Sequence, residues 1–351
     1  MTTIDDEIQL GVQPDIPSLR FRHVRLPEDF VGMARTNQAT RDAAGMEELV
    51  TAEAMERDYG HFLHWDPYDD TVIVEIDRRI VGYARVDWRD QVDGARAFAS
   101  IIVVEPALAA SGIPDALLGW AEARLVANAR AIPPSERRPS AMRTFSFGAE
   151  AGLTDALVAH GWTKEGHGYE MVRPTLDDIP EMPMPAGLVV RAIGLDAASR
   201  RRVWDAATEA FADERNETEP TEEDWQNALS NPLEDPSLWV IAFDGDEIAG
   251  GVEGRIDPAE NAHHRRERGL IQGVWVRRRW RRRGLARALL ARGLVRLRDH
   301  AMTSAYLGVD GLNPNQAMSL YESLGFEISS TGYDWEKALP PEVAPPVERS
   351  T

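Results

Sequence analysis

At 351 residues the chain exceeds one average domain, so two are expected, and 43% hydrophobic with 28% charged residues is the balance of a globular protein with ample core. The net charge of −19, from 58 Asp+Glu against 39 Lys+Arg, argues against nucleic acid or an anionic membrane as the general partner. Cysteine is absent, which excludes disulfides, thiolate metal sites and a cysteine nucleophile; the acidic N-terminus lacks a signal peptide's basic and apolar regions, and no apolar run approaches the roughly 18 residues that span a bilayer, so a cytoplasmic location is expected.

Residues 1–18 are polar and proline-bearing and are expected to form a loose arm. A strand is predicted from Leu19 to Val24, then a helical stretch to about Tyr59. Val72–Ile76 and Ile80–Val86, joined by Asp77-Arg78-Arg79, read as a hairpin. Ala97–Val104 reads as another strand, with helical patterns over 114–130 and 149–160. Residues 174–187 hold four prolines and no periodicity, the composition of a linker. The order then restarts: a strand over 188–191, a helix over 197–213, and a second hairpin from Trp239–Phe243 to Glu247–Val252.

The two halves read as a repeat. Gly82 answers Gly250, Gly112 answers Gly284, and His160-Gly161-Trp162 answers Leu324-Gly325-Phe326, at offsets of 168, 172 and 164. The division that follows is 19–173, a linker over 174–187, 188–340, and a tail over 341–351.

Within the second half, Val274-Trp275-Val276 is a short β-branched and aromatic run. It is followed by an arginine cluster, Gly284, and apolar positions 286, 289, 290, 293, 294 and 297 at helical spacing. A strand, a glycine turn and a helix N-terminus together form an anion site, because the first-turn amides lack intrahelical partners and the dipole favours negative charge. Gly284 lets a phosphate approach the backbone. Arg281-x-x-Gly284-x-Ala286 after this strand resembles the acyl-coenzyme A motif of the GNAT N-acetyltransferase superfamily. Asn313-Pro314, followed by Tyr321 and Gly325-Phe326, resembles that family's closing helix and the start of its last strands. The resemblance covers nearly the whole chain as two tandem GNAT-like α/β domains, each with a mixed, mostly antiparallel sheet flanked by helices. The first copy departs from the motif: Ala109 stands in place of Arg281 and Pro114 in place of Ala286, losing a cation and an amide donor. It is therefore expected to be a scaffold, with the C-terminal copy catalytic.

The resemblance implies an acetyl-coenzyme A-dependent N-acetyltransferase acting on a primary amine of a small molecule, by direct attack in a ternary complex. Val274, Trp275 and Val276 would pair with the pantetheine arm. Arg281, Arg282, Arg283, Gly284, Leu285 and Ala286 would hold the pyrophosphate, Asn313 would cap the next helix, and Tyr321 would be the general acid. At the family's usual glutamate position this chain has Leu270, which takes no proton; Gln272 positions an amine but cannot deprotonate it. Glu253 and Asp310 are the carboxylates within strand reach, and Glu253 is the preferred base. Residues 205–224 carry nine carboxylates, an attraction for a cationic amine or simply a solvated helix and loop. Thirteen arginines between Arg265 and Arg298 read as phosphate ligands plus solvated surface rather than a nucleic-acid patch. His61-x-x-His64 lacks a third ligand, so no metal is expected. A non-enzymatic acyl-coenzyme A-binding or regulatory protein is the alternative, and a monomer or homodimer is expected.

Overall fold

Hairpin turns set the strand pairing. Asp77 and Arg78 both adopt the left-handed conformation, whose twist matches the flanking strands, and join β2 (Thr71–Ile76) to β3 (Arg79–Asp90). The computed structural model describes residues 6–214, 217–312 and 317–343. The chain divides into two units, Met1–His167 with Ser330–Thr351, and Gly168–Ser329.

In the first unit β1 (Leu19–His23), β2, β3 and β4 (Arg96–Val104) pair antiparallel in that order. β4 then pairs parallel with β5 (Ser140–Phe147), and β5 pairs antiparallel with Gly332–Ala338 of β12 (Glu327–Ala338). Side chains alternate along the strands. Val72 and Val74 therefore pack with α3 (Ile113–Ala131) and α4 (Ala151–Ala159), while Ile73 and Tyr83 pack with α1 (Phe30–Ala43) and α2 (Ala52–Tyr59). Arg22, 2% exposed, bridges Asp29 at 2.7 Å and Glu75 at 2.6 Å, so this buried cation is fully compensated. The expected loose arm is packed where it is described: Ile8 donates to the Phe21 carbonyl at 2.8 Å, and Ile8, Leu10 and Ile16 join the core.

In the second unit Gly168–Arg173 of β6 (Thr163–Arg173) pairs antiparallel with β11 (Ser304–Asp310). β11 pairs parallel with β10 (Arg268–Val276), and β9 (Glu247–Arg255), β8 (Val240–Asp244) and β7 (Val189–Arg191) continue antiparallel. α8 (Leu285–Asp299) buries Leu289, Leu290, Leu294 and Leu297 against one face, with Val240, Val252 and Ile271. α5 (Ala197–Phe211) buries Val203, Ala206 and Ala210 against the other, with Ile241, Phe243 and Trp275. Each fully buried leucine contributes about 1.5–3 kcal/mol. The α/β fold class with mostly antiparallel sheets and flanking helices is as expected from the sequence.

Several elements differ from expectation. The helical stretch before residue 59 is broken into α1 and α2. Two further helices stand where the sequence reading places none: α6 (Glu222–Ser230) and α7 (Pro258–His264). The proline-rich segment 174–187 is no free linker, since Leu176 is buried in the second unit's core and donates to the Thr303 carbonyl at 2.9 Å. Residues 330–338, expected in the second half, belong to the first unit, because β5 offers them an antiparallel edge.

The glycine correspondences have one physical basis each. Gly82 pairs with Val104 and Gly250 with Val276, and a Cβ there would stand 2.9 Å from the Val103 carbonyl oxygen or 2.7 Å from that of Trp275. Gly112 and Gly284 begin α3 and α8 at φ of +81° and +82°. No described helix is long and apolar enough to cross a membrane.

Candidate active site

The parallel register of β10 with β11 runs from Arg268↔Ser304 to Leu270↔Tyr306 and stops there. Beyond it, residues 272–276 of β10 and 308–310 of β11 line a cleft of about 560 Å³, which is completed by Gly284, the first turn of α8 (Leu285, Ala286, Arg287) and Ala317, Ser319, Leu320 and Tyr321 of α9 (Ala317–Glu322). A bulge at Gln272 accompanies the opening, since Ile271 pairs with Gly254 and Gly273 with Glu253, leaving Gln272 as the extra residue. Backbone groups of a strand that has lost its neighbour are a template for an extended, amide-bearing ligand.

At the end of β10 the chain makes a short 3-10 turn, Arg278–Trp280, pinned by Trp280 Nε1 donating to Asp244 at 2.9 Å. Arg282 (φ +60°) and Gly284 (φ +82°) then take left-handed conformations, which turn successive amides towards one concavity. A Cβ on Gly284 would meet nothing within 4 Å, so the space in front of its backbone is open to a ligand. The first intrahelical bond runs from Ala288 to the Gly284 carbonyl, so the amides of Leu285, Ala286 and Arg287 belong to the unsatisfied first turn. This open cradle of amides beside exposed Arg282 and Arg287 fits a pyrophosphate.

Four neighbouring arginines, Arg277, Arg278, Arg279 and Arg281, are held by the protein itself. Arg281 donates through Nε to the Val276 carbonyl (2.9 Å), through Nη1 to Asp213 (2.7 Å) and through Nη2 to the Ala210 carbonyl (2.8 Å). Arg278 also pairs with Asp213, and the two arginines, Arg278 foremost, hold that carboxyl below its usual range. Arg277 binds Glu209 at 2.6 Å and Arg279 binds Glu247 at 2.8 Å. Arg281 therefore ties the end of α5 to the phosphate loop, and it also lines the cleft. Arg283 is exposed and is not among the residues lining the cleft. Asn313 lies outside the described residues. Val274, Trp275, Val276, Arg282, Gly284, Leu285 and Ala286 all line the cleft.

A second pocket of about 360 Å³ shares Phe211, Gln272 and Gly273 with the first. Its walls are Trp204, Trp225 and Trp239, and Glu217, Asp224, Glu234 and Glu253 line it with Arg200. Glu253 stands opposite Gly273 and accepts from Trp275 Nε1 at 2.8 Å. Burial pushes its carboxyl up to about 7; the Trp275 hydrogen bond opposes this and the Glu234 charge adds to it. Asp310 lines the larger cleft instead. Tyr321, 8% exposed, also reaches that cleft, edge-on to Phe326 at 6.0 Å. Burial, with the Glu214 charge behind it, pushes its phenol up to about 12. Four of the nine carboxylates in 205–224 pair with arginines: Glu209 and Asp213 hold the loop, and Asp205 and Glu222 hold Arg201.

The first unit's counterpart is closed. Its parallel pair is zipped over five positions, Arg96↔Ser140 to Ser100↔Thr144, and Thr144 Oγ1 donates across it to Ser100 O at 2.9 Å. The space beside Ala109 and Pro114 measures about 60 Å³. Arg85, which answers Glu253 at the offset of 168, stacks on Phe62 at 3.9 Å and Tyr59 at 5.1 Å.

Parallel strands splayed over the glycine-capped start of a helix, with a carboxylate pocket opening off the same strand, set a candidate donor cleft beside a candidate acceptor pocket. Residues 201–326 match the acetyltransferase (GNAT) family. The chain is 28% identical over 264 residues to the mycothiol acetyltransferase of Streptomyces scabiei, covering 74% of this chain and 77% of that one. To the mycothiol acetyltransferase of Geodermatophilus obscurus it is 26% identical over 272 residues, covering 77% and 82%. A GCN5-related N-acetyltransferase from Sphaerobacter thermophilus shares the fold with a TM-score of 0.70 at 24% identity, over 94% of this chain and 98% of that one. A tandem GNAT protein from the clavulanic acid biosynthesis pathway shares it at a TM-score of 0.59 and 14% identity, over 92% and 99%.

Proposed function

We propose that the second unit transfers an acetyl group from acetyl-coenzyme A to a primary amine of a small molecule, by direct attack with both substrates bound. The observation that carries this reading is the junction at Phe211, Gln272 and Gly273, where the cleft suited to the donor opens into the carboxylate-lined pocket. Both pockets lie in one chain, so transfer needs no second copy.

The donor supplies an activated acetyl thioester. The α8 first-turn amides, with Arg282 and Arg287, hold its pyrophosphate, and the backbone of Val274–Val276 pairs with its amide-bearing arm. Glu253 takes the amine's proton, directly or through one water. With its carboxyl pushed up to about 7, it is a stronger base than an exposed glutamate and still substantially ionised at neutral pH. Tyr321 keeps its proton at all physiological pH and offers it towards the sulfur position. Leu270 leaves the usual glutamate position without a base, and Glu253 on the neighbouring strand supplies one.

The mycothiol acetyltransferase relatives make the acceptor used by those enzymes the first to try. The test follows free thiol release from acetyl-coenzyme A against a panel of amines that includes it. Turnover that falls at least a hundredfold in Glu253→Gln, with acetyl-coenzyme A still bound, is the expected result. A wild-type protein that binds acetyl-coenzyme A yet acetylates none of the amines would overturn the reading.

A further inference from the structure

We propose that Glu234 is a positioning residue for the acceptor amine: it fixes the side-chain amide of Gln272 so that the Gln272 carbonyl faces the substrate nitrogen at the junction of the two pockets. This rests on the acetyl-transfer reading above and adds a residue that neither the motif nor the strand pattern indicates.

Gln272 is the bulged residue of β10, and it lines both pockets. Its Nε2 donates to Glu234 Oε1 at 2.9 Å. A carboxylate only accepts, so the amide nitrogen must turn towards Glu234 and the carbonyl oxygen away from it. Glu253 is held in the same manner, because Trp275 Nε1 commits one of its oxygens. An amine approaching the junction thus meets two acceptors, each oriented by a donor or acceptor behind it: the Gln272 carbonyl and the remaining Glu253 oxygen. A neutral amide orients an N–H without competing for the proton, which leaves deprotonation to Glu253. Glu234 has a second effect, since its charge opposes ionisation of Glu253. The other charged groups lining this pocket are Arg200 on α5, Glu217 in the loop before α6, and Asp224 on α6, which is committed to the capping box with Thr221.

The test is steady-state kinetics on Glu234→Gln, with the amine found to be the best acceptor and acetyl-coenzyme A saturating. The introduced glutamine has the same size but carries its own N–H donors, so Gln272 is free to turn its carbonyl towards residue 234 and away from the amine. The KM for the amine should rise about tenfold, the worth of one charge-assisted hydrogen bond. The acid limb of kcat/KM should move to lower pH, because the like charge near Glu253 is gone. The dissociation constant of acetyl-coenzyme A and the melting temperature should hold. Gln272→Ala should raise KM similarly, and the double variant should be no worse than Gln272→Ala alone, since Glu234 acts on the amine's position only through Gln272. An unchanged KM and pH profile in Glu234→Gln, or strictly additive effects on KM in the double variant, would overturn the inference while leaving the acetyltransferase reading intact. Absence of turnover in the wild type would remove both.

Discussion

The Trp275 indole donates to the Glu253 carboxylate at 2.8 Å, so one strand both forms the edge of the donor cleft and orients the candidate base. Trp275 is 3% exposed and packs with α5, opposite Gly251; a Cβ on Gly251 would come within 2.6 Å of the indole ring. Trp275→Phe keeps a ring in that space and deletes the donor. The hydrogen bond favours the charged carboxylate, so its loss should raise the Glu253 pKa further above 7. The acid limb of kcat/KM should then move to higher pH by about half a unit to one unit, with acetyl-coenzyme A affinity held within about threefold. The smaller ring also costs about 1–3 kcal/mol of stability, read from denaturant melts. A limb that stays in place would mean that Glu253 is not the group being titrated.

Gly284 tests the phosphate cradle. Its φ of +82° suits glycine, but Asp enters this region at a cost of about 1–2 kcal/mol, and the space for a side chain is open. Gly284→Asp should therefore fold and lose acetyl-coenzyme A binding, because the carboxylate stands where the pyrophosphate approaches. Calorimetry on the folded variant decides this, and unchanged affinity would mean the loop does not hold phosphate.

The glycines were legible because each answers a local backbone demand: Gly284 and Gly112 a positive φ at a helix start, Gly82 and Gly250 a carbonyl too close for any Cβ. The Val274–Val276 strand and the α8 face were legible from apolar spacing. α6 and α7 also carry local start signals. Thr221 and Asp224 form the capping box of α6, and Asp257 followed by Pro258 is the ordinary start of α7. Other features are written only in tertiary contacts. Nothing in the arginine run says that Arg281 reaches back to Asp213 and Ala210, or that a bulge would turn Gln272 towards Glu234. The swap of residues 330–338 into the first unit is likewise invisible, since the pattern of a strand does not name the edge it will join.

The two units should differ in ligand stoichiometry. Both keep a left-handed glycine at the helix start, but the first has Pro114 at the second helical position, a longer parallel zipper and only about 60 Å³ of space, against about 560 Å³ in the second. Titration calorimetry with acetyl-coenzyme A should give one site per chain. Two sites of similar affinity would show that the first unit opens on binding.

Tyr321 separates proton donation from simple packing. Its phenol is pushed up to about 12, whereas a free thiol titrates near 8.5, so complete proton transfer to the departing thiolate is uphill by roughly 3–4 units, about 5 kcal/mol. The phenol is thus better suited to hold a hydrogen bond on the charge that develops at sulfur, with the final proton coming from the acylated amine or from water. Tyr321→Phe removes that hydrogen bond and keeps the ring that packs edge-on to Phe326. The loss in kcat should accordingly fall near 10- to 100-fold, at or below the lower end of the usual 10²–10⁴ for a general acid. Acetyl-coenzyme A affinity should barely change, because the interaction strengthens only as the sulfur departs. No basic limb assignable to Tyr321 should appear below about pH 10, since the phenol is still protonated there. The measurement is kcat across about pH 6–10 on any accepted amine, with the dissociation constant for acetyl-coenzyme A determined alongside. A loss under threefold with the cofactor still bound would leave Tyr321 as a core tyrosine and assign the sulfur's hydrogen bond to another group or to water.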